Sequence, residues 1–251
     1  MSELTPSRRG GVGWRTAWWW VILLQAVAFY ASAATLTWTG GVAGVWQNGA
    51  SGWLNGGSPA NWNNATPDAA LFGGAAAGTV SVDAGGITVG DLTVTQGIYT
   101  IGGGGTLTLQ NSILTISGST LTTTVSAALG GTGGFTKSGS GELVLSGVNK
   151  NYTGPTTLSG GVVRITATGP GSLGSTATNG VNLEGGALHA LFSANVNVSN
   201  FVVVGSAGGE LRNLGNDSQR WQMIANRISG SGPLTLTFGT NASRFTLANA
   251  Q

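Results

Sequence analysis

Between Gly133 and Ile165 the chain reads GGFTKSGSGELVLSGVNKNYTGPTTLSGGVVRI, and no other stretch limits the available folds as much. It contains short runs of alternating apolar residues, Glu142–Leu145, Thr156–Leu158 and Val162–Ile165, each bounded by Gly, Ser, Asn or Pro. Alternation over a few residues marks a half-buried strand, and the bounding residues mark turns. Strands this short do not make a stable sheet alone. The unit therefore has to stack on copies of itself. Gly230–Leu247 restarts the pattern with Gly-x-Gly, x-Leu-x-Leu, Gly and an Asn-containing turn.

The residues Lys137, Gly139, Gly141, Leu143, Leu145, Ser146, Gly147, Asn149, Tyr152, Gly154 and Thr156 fall at spacings that resemble the autotransporter-associated β-strand repeat. One departure is Lys150, an extra residue between Asn149 and Tyr152 that a turn can absorb. The full match is confined to this stretch, and the copy at Gly230–Leu247 is partial. The resemblance implies a parallel β-helix on a secreted or surface-exposed bacterial protein. It implies no particular activity.

Composition narrows the class. The chain has 45 glycines in 251 residues without a three-residue period, which argues against collagen, and 41% hydrophobic residues, which argues against disorder. With no cysteine, a secreted chain of this kind has no disulfide staples. Stability must then come from backbone ladders and apolar stacking. The formal charge of +2 arises from Arg8, Arg9 and Arg15 against Glu3 in the leader. The remainder balances seven basic and seven acidic residues, so it lacks the clustered positive field that nucleic-acid binding needs.

Met1–Ala33 reads as a signal peptide: a basic start, the apolar run Ala17–Tyr30, and Ala31-Ser32-Ala33 as a small-x-small cleavage site. The run is too short to span a bilayer. The pattern predicts a helix there, export by the general secretory route, and no membrane span in the mature chain. Ala34–Gly78 carries Trp38, Trp46, Trp53 and Trp62 with Asn and Gly between them. One reading makes Trp46, Trp53 and Trp62 a sugar-stacking face. The other, favoured here, makes the segment a cap that covers the first exposed edge of a solenoid.

From Thr79 onward strands come quickly: Thr79–Val82, Ile87–Val89, Leu92–Val94, Ile98–Ile101, Thr106–Leu109, Ile113–Ile116 and Leu121–Val125. Three such strands per turn give a solenoid-type period of roughly 20 residues. Leu107/Leu109, Leu114/Ile116, Leu143/Leu145 and Val163/Ile165 are the expected inward pairs. Phe201–Val204 is continuously apolar and is expected to be buried on both faces. Glu210–Met223 reads as a rung with a longer exposed turn, its charges solvated or loosely paired. Alternation alone does not separate a parallel helix from an antiparallel meander; the resemblance does. The expectation is an all-β chain, a right-handed parallel β-helix (β-solenoid) over 79–251 behind a Trp-rich cap (34–78) and a signal-peptide helix (1–33).

No catalytic constellation stands out. His189 is the sole histidine, and alternation sets it opposite Leu188 and Ala190, facing outward. One histidine without cysteine cannot build an ordinary zinc site. Gly131–Ser138 nearly matches a phosphate loop, but Thr136 replaces the needed Gly and a strand pattern follows. Gly130–Phe135 lacks the regular Asp of a calcium-binding nonapeptide. Asp83 and Asp91 flank glycines, the ordinary setting of turn aspartates, although a polysaccharide lyase or hydrolase would need such carboxylates to converge. No catalytic residue, cofactor or metal is assigned. The expected role is a structural or adhesive passenger meeting glycans, matrix or cell surfaces, with a carbohydrate-binding module on the Trp-rich start as the alternative. The sequence reads either as a fragment, with a C-terminal barrel or sorting tail downstream of Gln251, or as an early stop; the expected place is the medium or the cell surface, and the outer membrane if a barrel follows.

Overall fold

The computed structural model describes residues 33–251 except positions 42, 75–76, 111, 148, 167–172, 175–179, 191–195, 199–200, 214–219, 225–227, 240–243 and 249–251. Apart from Ala33, the expected signal peptide lies outside the described residues, as do parts of the charged window at Glu210–Met223 and of the partial repeat at Gly230–Leu247. Every regular element described is a strand, and none of the described residues forms a helix long and apolar enough to cross a membrane.

The strands fall into a repeating order of three sides. The first side stacks Thr35–Trp38, Ala69–Phe72, Leu92–Val94, Ser112–Ile116, Phe135–Ser138, Thr156–Leu158, Gly180–Leu183, Phe201–Val204 and Ile228–Gly230, all parallel. The second stacks Ala43–Trp46, Gly78–Val82, Tyr99–Gly103, Thr122–Val125, Glu142–Leu145, Val162–Ile165, Ala187–Ala190, Gly209–Asn213 and Leu234–Phe238, again parallel. A third side appears as two pieces, Ile87–Val89 with Thr106–Leu109 and Ala128–Gly130, then Val196–Val198 with Arg220–Ile224 and Arg244–Ala248. Between the two pieces, among the described residues, a parallel bridge joins Leu129 to Lys150. The chain passes first side, second side, third side, and begins again, so each strand pairs with one a turn later. Register partners such as Ile87 and Leu107, Leu92 and Leu114, or Val202 and Ile228 lie 20, 22 and 26 positions apart. This is a parallel β-solenoid, with the period anticipated from strand spacing.

Stacking turns the alternation of each strand into interior columns. On the first side one column runs Leu36, Ala70, Leu92, Leu114, Lys137, Leu158, Leu183 and Val204, every member buried. On the second side Tyr99, Thr123, Leu143, Val163, Leu188 and Leu211 are buried in register, beside Val80, Ile101, Val125, Leu145 and Ile165. Fully burying one such aliphatic side chain is worth about 1.5–3 kcal/mol. No single rung encloses its own residues, so that gain exists only once neighbours are stacked.

The corners have their own requirement. Where the chain leaves the first side for the second, it turns through a left-handed glycine at Gly139, Gly161, Gly185, Gly208 and Gly230, with φ between 62° and 117°. An L side chain is strained there, which explains the recurring glycines of the motif. Gly134 and Gly154 serve a different need, close approach of two rungs. A Cβ on Gly134 would sit 1.8 Å from the Pro155 oxygen, and one on Gly154 would sit 2.1 Å from the Gly134 nitrogen.

The tryptophan segment opens the first side. Trp53–Asn55 adds antiparallel to Thr35–Trp38, and Ser58–Ala60 adds antiparallel to Trp53–Asn55, so the parallel stack is continued by a hairpin. Phe201–Val204 departs from the expected two-sided burial. Val202 and Val204 are inside, but Phe201 and Val203 are 46% and 39% exposed. Val203 stands between Asn182 and Ser229 on the outer face, where it stays partly open to water.

Candidate functional site

The tryptophans anticipated as glycan contacts do not present ring faces. Trp46, Trp53 and Trp62 are 0%, 2% and 1% exposed. They pack on one another, with centroids 4.7 Å apart for Trp46–Trp62, 4.9 Å for Trp53–Trp62 and 5.1 Å for Trp46–Trp53, and Trp38 and Phe72 close the cluster. Trp62 Nε1 donates to Asn64 Oδ1 at 3.1 Å and to the Thr88 carbonyl at 3.3 Å. Asn64 Oδ1 also accepts from the Thr88 amide at 3.0 Å, so it ties the cluster to the next rung. A stacking platform needs an open ring face, and these faces are inside because the rings are the interior of the first turns.

Asp83 and Asp91 are each used locally. Asp83 Oδ2 accepts from the Gly85 amide at 3.0 Å, and Asp91 Oδ1 accepts from the Ile113 amide at 2.8 Å. Among the described residues no group of three or more His, Asp or Glu side chains gathers where it could hold a metal ion.

The unanticipated residues are the lysines. Lys137 and Lys150 are both fully buried. Lys137 sits in the apolar column between Leu114 and Leu158, and its Nζ curls to the corner to donate to the carbonyls of Ser138, Gly139 and Gly160 at 2.7, 2.9 and 3.2 Å. Lys150 Nζ donates to the carbonyls of Ala127 and Ser146 at 2.8 and 2.7 Å. Burial away from water lowers both ammonium groups to about 8. Each cation ties backbone of one corner to the next, and the extra residue Lys150 is such a tie, not slack in a turn. Phe135 and Lys137 share the inward face of their strand, but a lysine there reads as a surface charge until its carbonyl partners are known. Tyr152 belongs to the same interior: its hydroxyl is 2.7 Å from Thr156 Oγ1 and its ring meets Phe135 edge-on at 5.5 Å.

On the outer face of the second side, stacking brings together charges that are far apart in sequence. One column runs Thr79, Thr100, Thr124, Val144, Arg164, His189, Arg212 and Thr237. A neighbouring column holds Thr122, Glu142, Val162, Ala187, Glu210 and Thr235. Arg164 Nη2 meets Glu142 Oε2 at 2.8 Å and Arg212 Nη2 meets Glu210 Oε2 at 2.7 Å. Glu210 also accepts from the Thr237 hydroxyl. His189 faces outward as expected, but it is half-buried between the two arginines rather than solvated, and its Nε2 has no hydrogen-bond partner. Burial first, then the Arg164 charge, holds His189 below its ordinary value. The hydrogen bond from Arg212 lowers Glu210, and the same bond raises Arg212.

Beside these columns an open groove of about 590 Å³ follows the corner between the first and second sides. Ser119, Ser140, Gly161, Gly185, Ala207 and Pro233 each contribute from one of six successive corners. Glu210, Arg212 and Thr235 form one wall. The Lys137 ammonium lies beneath, bonded to the Gly139 and Gly160 carbonyls of two of those corners.

Residues 135–165 match the family model described as the passenger-associated-transport-repeat. The chain is also similar to the adhesin BmaC autotransporter of Brucella suis biovar 1 (strain 1330), 37% identical over 164 residues, which is 63% of this chain and 5% of the adhesin. The chain therefore spans a small fraction of that relative's length. No solved structure matches it. In its stacked parallel strands, its repeat at residues 135–165 and its likeness to an autotransporter over 164 residues, the chain is similar to the β-repeat passengers of autotransporters.

Proposed function

We propose that the chain is part of an adhesin-like passenger, exported through the general secretory route and acting at the bacterial surface or in the medium, where it meets glycans, matrix or other cells. The carrying observation is the likeness to an autotransporter adhesin on a stack whose interior is filled by side chains. In this reading the solenoid is a scaffold that presents its corners and outer columns, and no reaction is assigned to it. The Trp-rich segment 34–78 acts as the cap: a stack of parallel strands leaves an edge and an apolar end, and the hairpin with its ring cluster covers them.

The test is adhesion. The chain displayed on a non-adherent bacterium is expected to increase attachment to epithelial cells or matrix-coated surfaces, and soluble chain is expected to compete with it. Attachment unchanged by display on every surface would remove the adhesive reading.

A further inference from the structure

We infer that the groove along the corner between the first and second sides is a binding site for an uncharged linear polysaccharide, a reading that rests on the adhesive function and names its ligand class. The groove's shape sets the first condition. It crosses six successive corners, and rungs stack about 4.8 Å apart, so it is about 24 Å long. Its volume of about 590 Å³ is within the range of ligand sites, but it is drawn out along the stack instead of being closed like a small-molecule pocket. A linear polymer matches that form.

The backbone sets the second condition. Corner amides and carbonyls are already bonded from rung to rung: Gly185 N to Gly208 O at 2.7 Å, Ala187 N to Gly161 O at 2.9 Å, Gly209 N to Pro233 O at 3.0 Å. The groove also runs across the strands and not along an edge. An extended peptide binding by strand addition needs a free row of amides and carbonyls, and these corner groups are already paired with one another. Recognition falls to side chains: the hydroxyls of Ser119, Ser140 and Thr235 and the paired Glu210 and Arg212.

Charge sets the third. The ionised groups lining the groove are one carboxylate and one guanidinium, bridged at 2.7 Å, so the wall is neutral. An acidic polysaccharide would meet Glu210 as well as Arg212. Adjacent hydroxyls of a neutral sugar, one donating to the carboxylate and one accepting from the guanidinium, fit both partners at once. With no exposed aromatic ring in the wall, a single sugar gains little, and affinity must accumulate along the chain.

The experiment is binding of the full chain to immobilised neutral linear glucans, mannans and galactans, with heparin and hyaluronan as acidic arms. Ala207→Trp and Ser119→Trp fill the groove from exposed positions, and the double variant Glu210→Gln/Arg212→Gln removes the charged pair. The expected result is binding to at least one neutral polymer, stronger for longer oligosaccharides of that polymer, and reduced at least tenfold by each Trp variant with an unchanged melting temperature. The inference is overturned if no neutral polymer binds, if heparin or hyaluronan binds preferentially and is released by salt, or if the Trp variants bind as well as the parent. Cell attachment that survives the Trp variants would leave the adhesive reading standing while removing the groove. Neutral-polymer binding without any cell attachment would do the reverse.

Discussion

Raising the pH from neutral to mildly alkaline should stabilise this protein, because both of its lysines are interior. The perturbation is proton removal from Lys137 and Lys150, the only lysines in the sequence. Each has a folded value of about 8 against 10.5 in the unfolded chain, with burial as the cause. Between those values the unfolded chain holds more protons than the folded one, so unfolding free energy rises with pH. Integrating that difference from about pH 7 to about pH 9.5 gives about 2 kcal/mol per lysine, and about 4 kcal/mol for both. The carbonyl bonds at each ammonium favour the charged form, so these figures are upper bounds. Tyr99 and Tyr152 are raised by burial and act in the opposite direction only above about pH 10. The assay is urea denaturation at several pH values between these limits, with Lys137→Met and Lys150→Met as controls, each expected to reduce the rise. A midpoint that stays flat or falls over this range in the parent chain would refute the interior placement of the two ammonium groups.

Other consequences can be checked separately. Gly134→Ala should prevent folding or cost several kcal/mol by thermal denaturation, because its Cβ would meet the Pro155 oxygen at 1.8 Å, while Gly104→Ala, with nothing within 4 Å, should change stability by about 1 kcal/mol or less. Trp53→Ala should cost about 3–5 kcal/mol in urea denaturation. A Trp53→Ala chain of unchanged stability would contradict the ring's burial. His189 should titrate below 6.5 in a proton NMR series, unambiguous because it is the sole histidine, and Arg164→Gln should move it upward. As its folded value is depressed, His189 also costs stability as pH falls through 6.5, and His189→Gln should flatten that slope.

The repeat stretch was legible because local pattern and stacking demand the same thing there. Glu142–Leu145, Thr156–Leu158 and Val162–Ile165 are strands with those same bounds, and their inward pairs are buried. What stayed hidden depends on neighbours a full turn away. Lys137 looks like a surface charge until the glycine corners at 139 and 160 curl their carbonyls toward it. Arg164, His189 and Arg212 lie 23 to 25 positions apart and meet only through register. The groove is made of one or two small residues from each of six corners, so no contiguous motif encodes it. Phe201 and Val203 misled for the same reason: an apolar run shows which residues prefer burial, but not whether anything covers the outer face.

Spin-label distances along one outer column test the stack itself, and the absence of cysteine makes labelling clean. Thr79, Thr100, Thr124 and Thr237 share that column at seven, six and five rungs from Thr237. With cysteine pairs introduced at 124/237, 100/237 and 79/237, the backbone separations predicted are about 24, 29 and 34 Å, growing by one rung spacing each time. Distances that fail to increase in that order would contradict a stack of parallel rungs, and the groove and the scaffold role would fall with it.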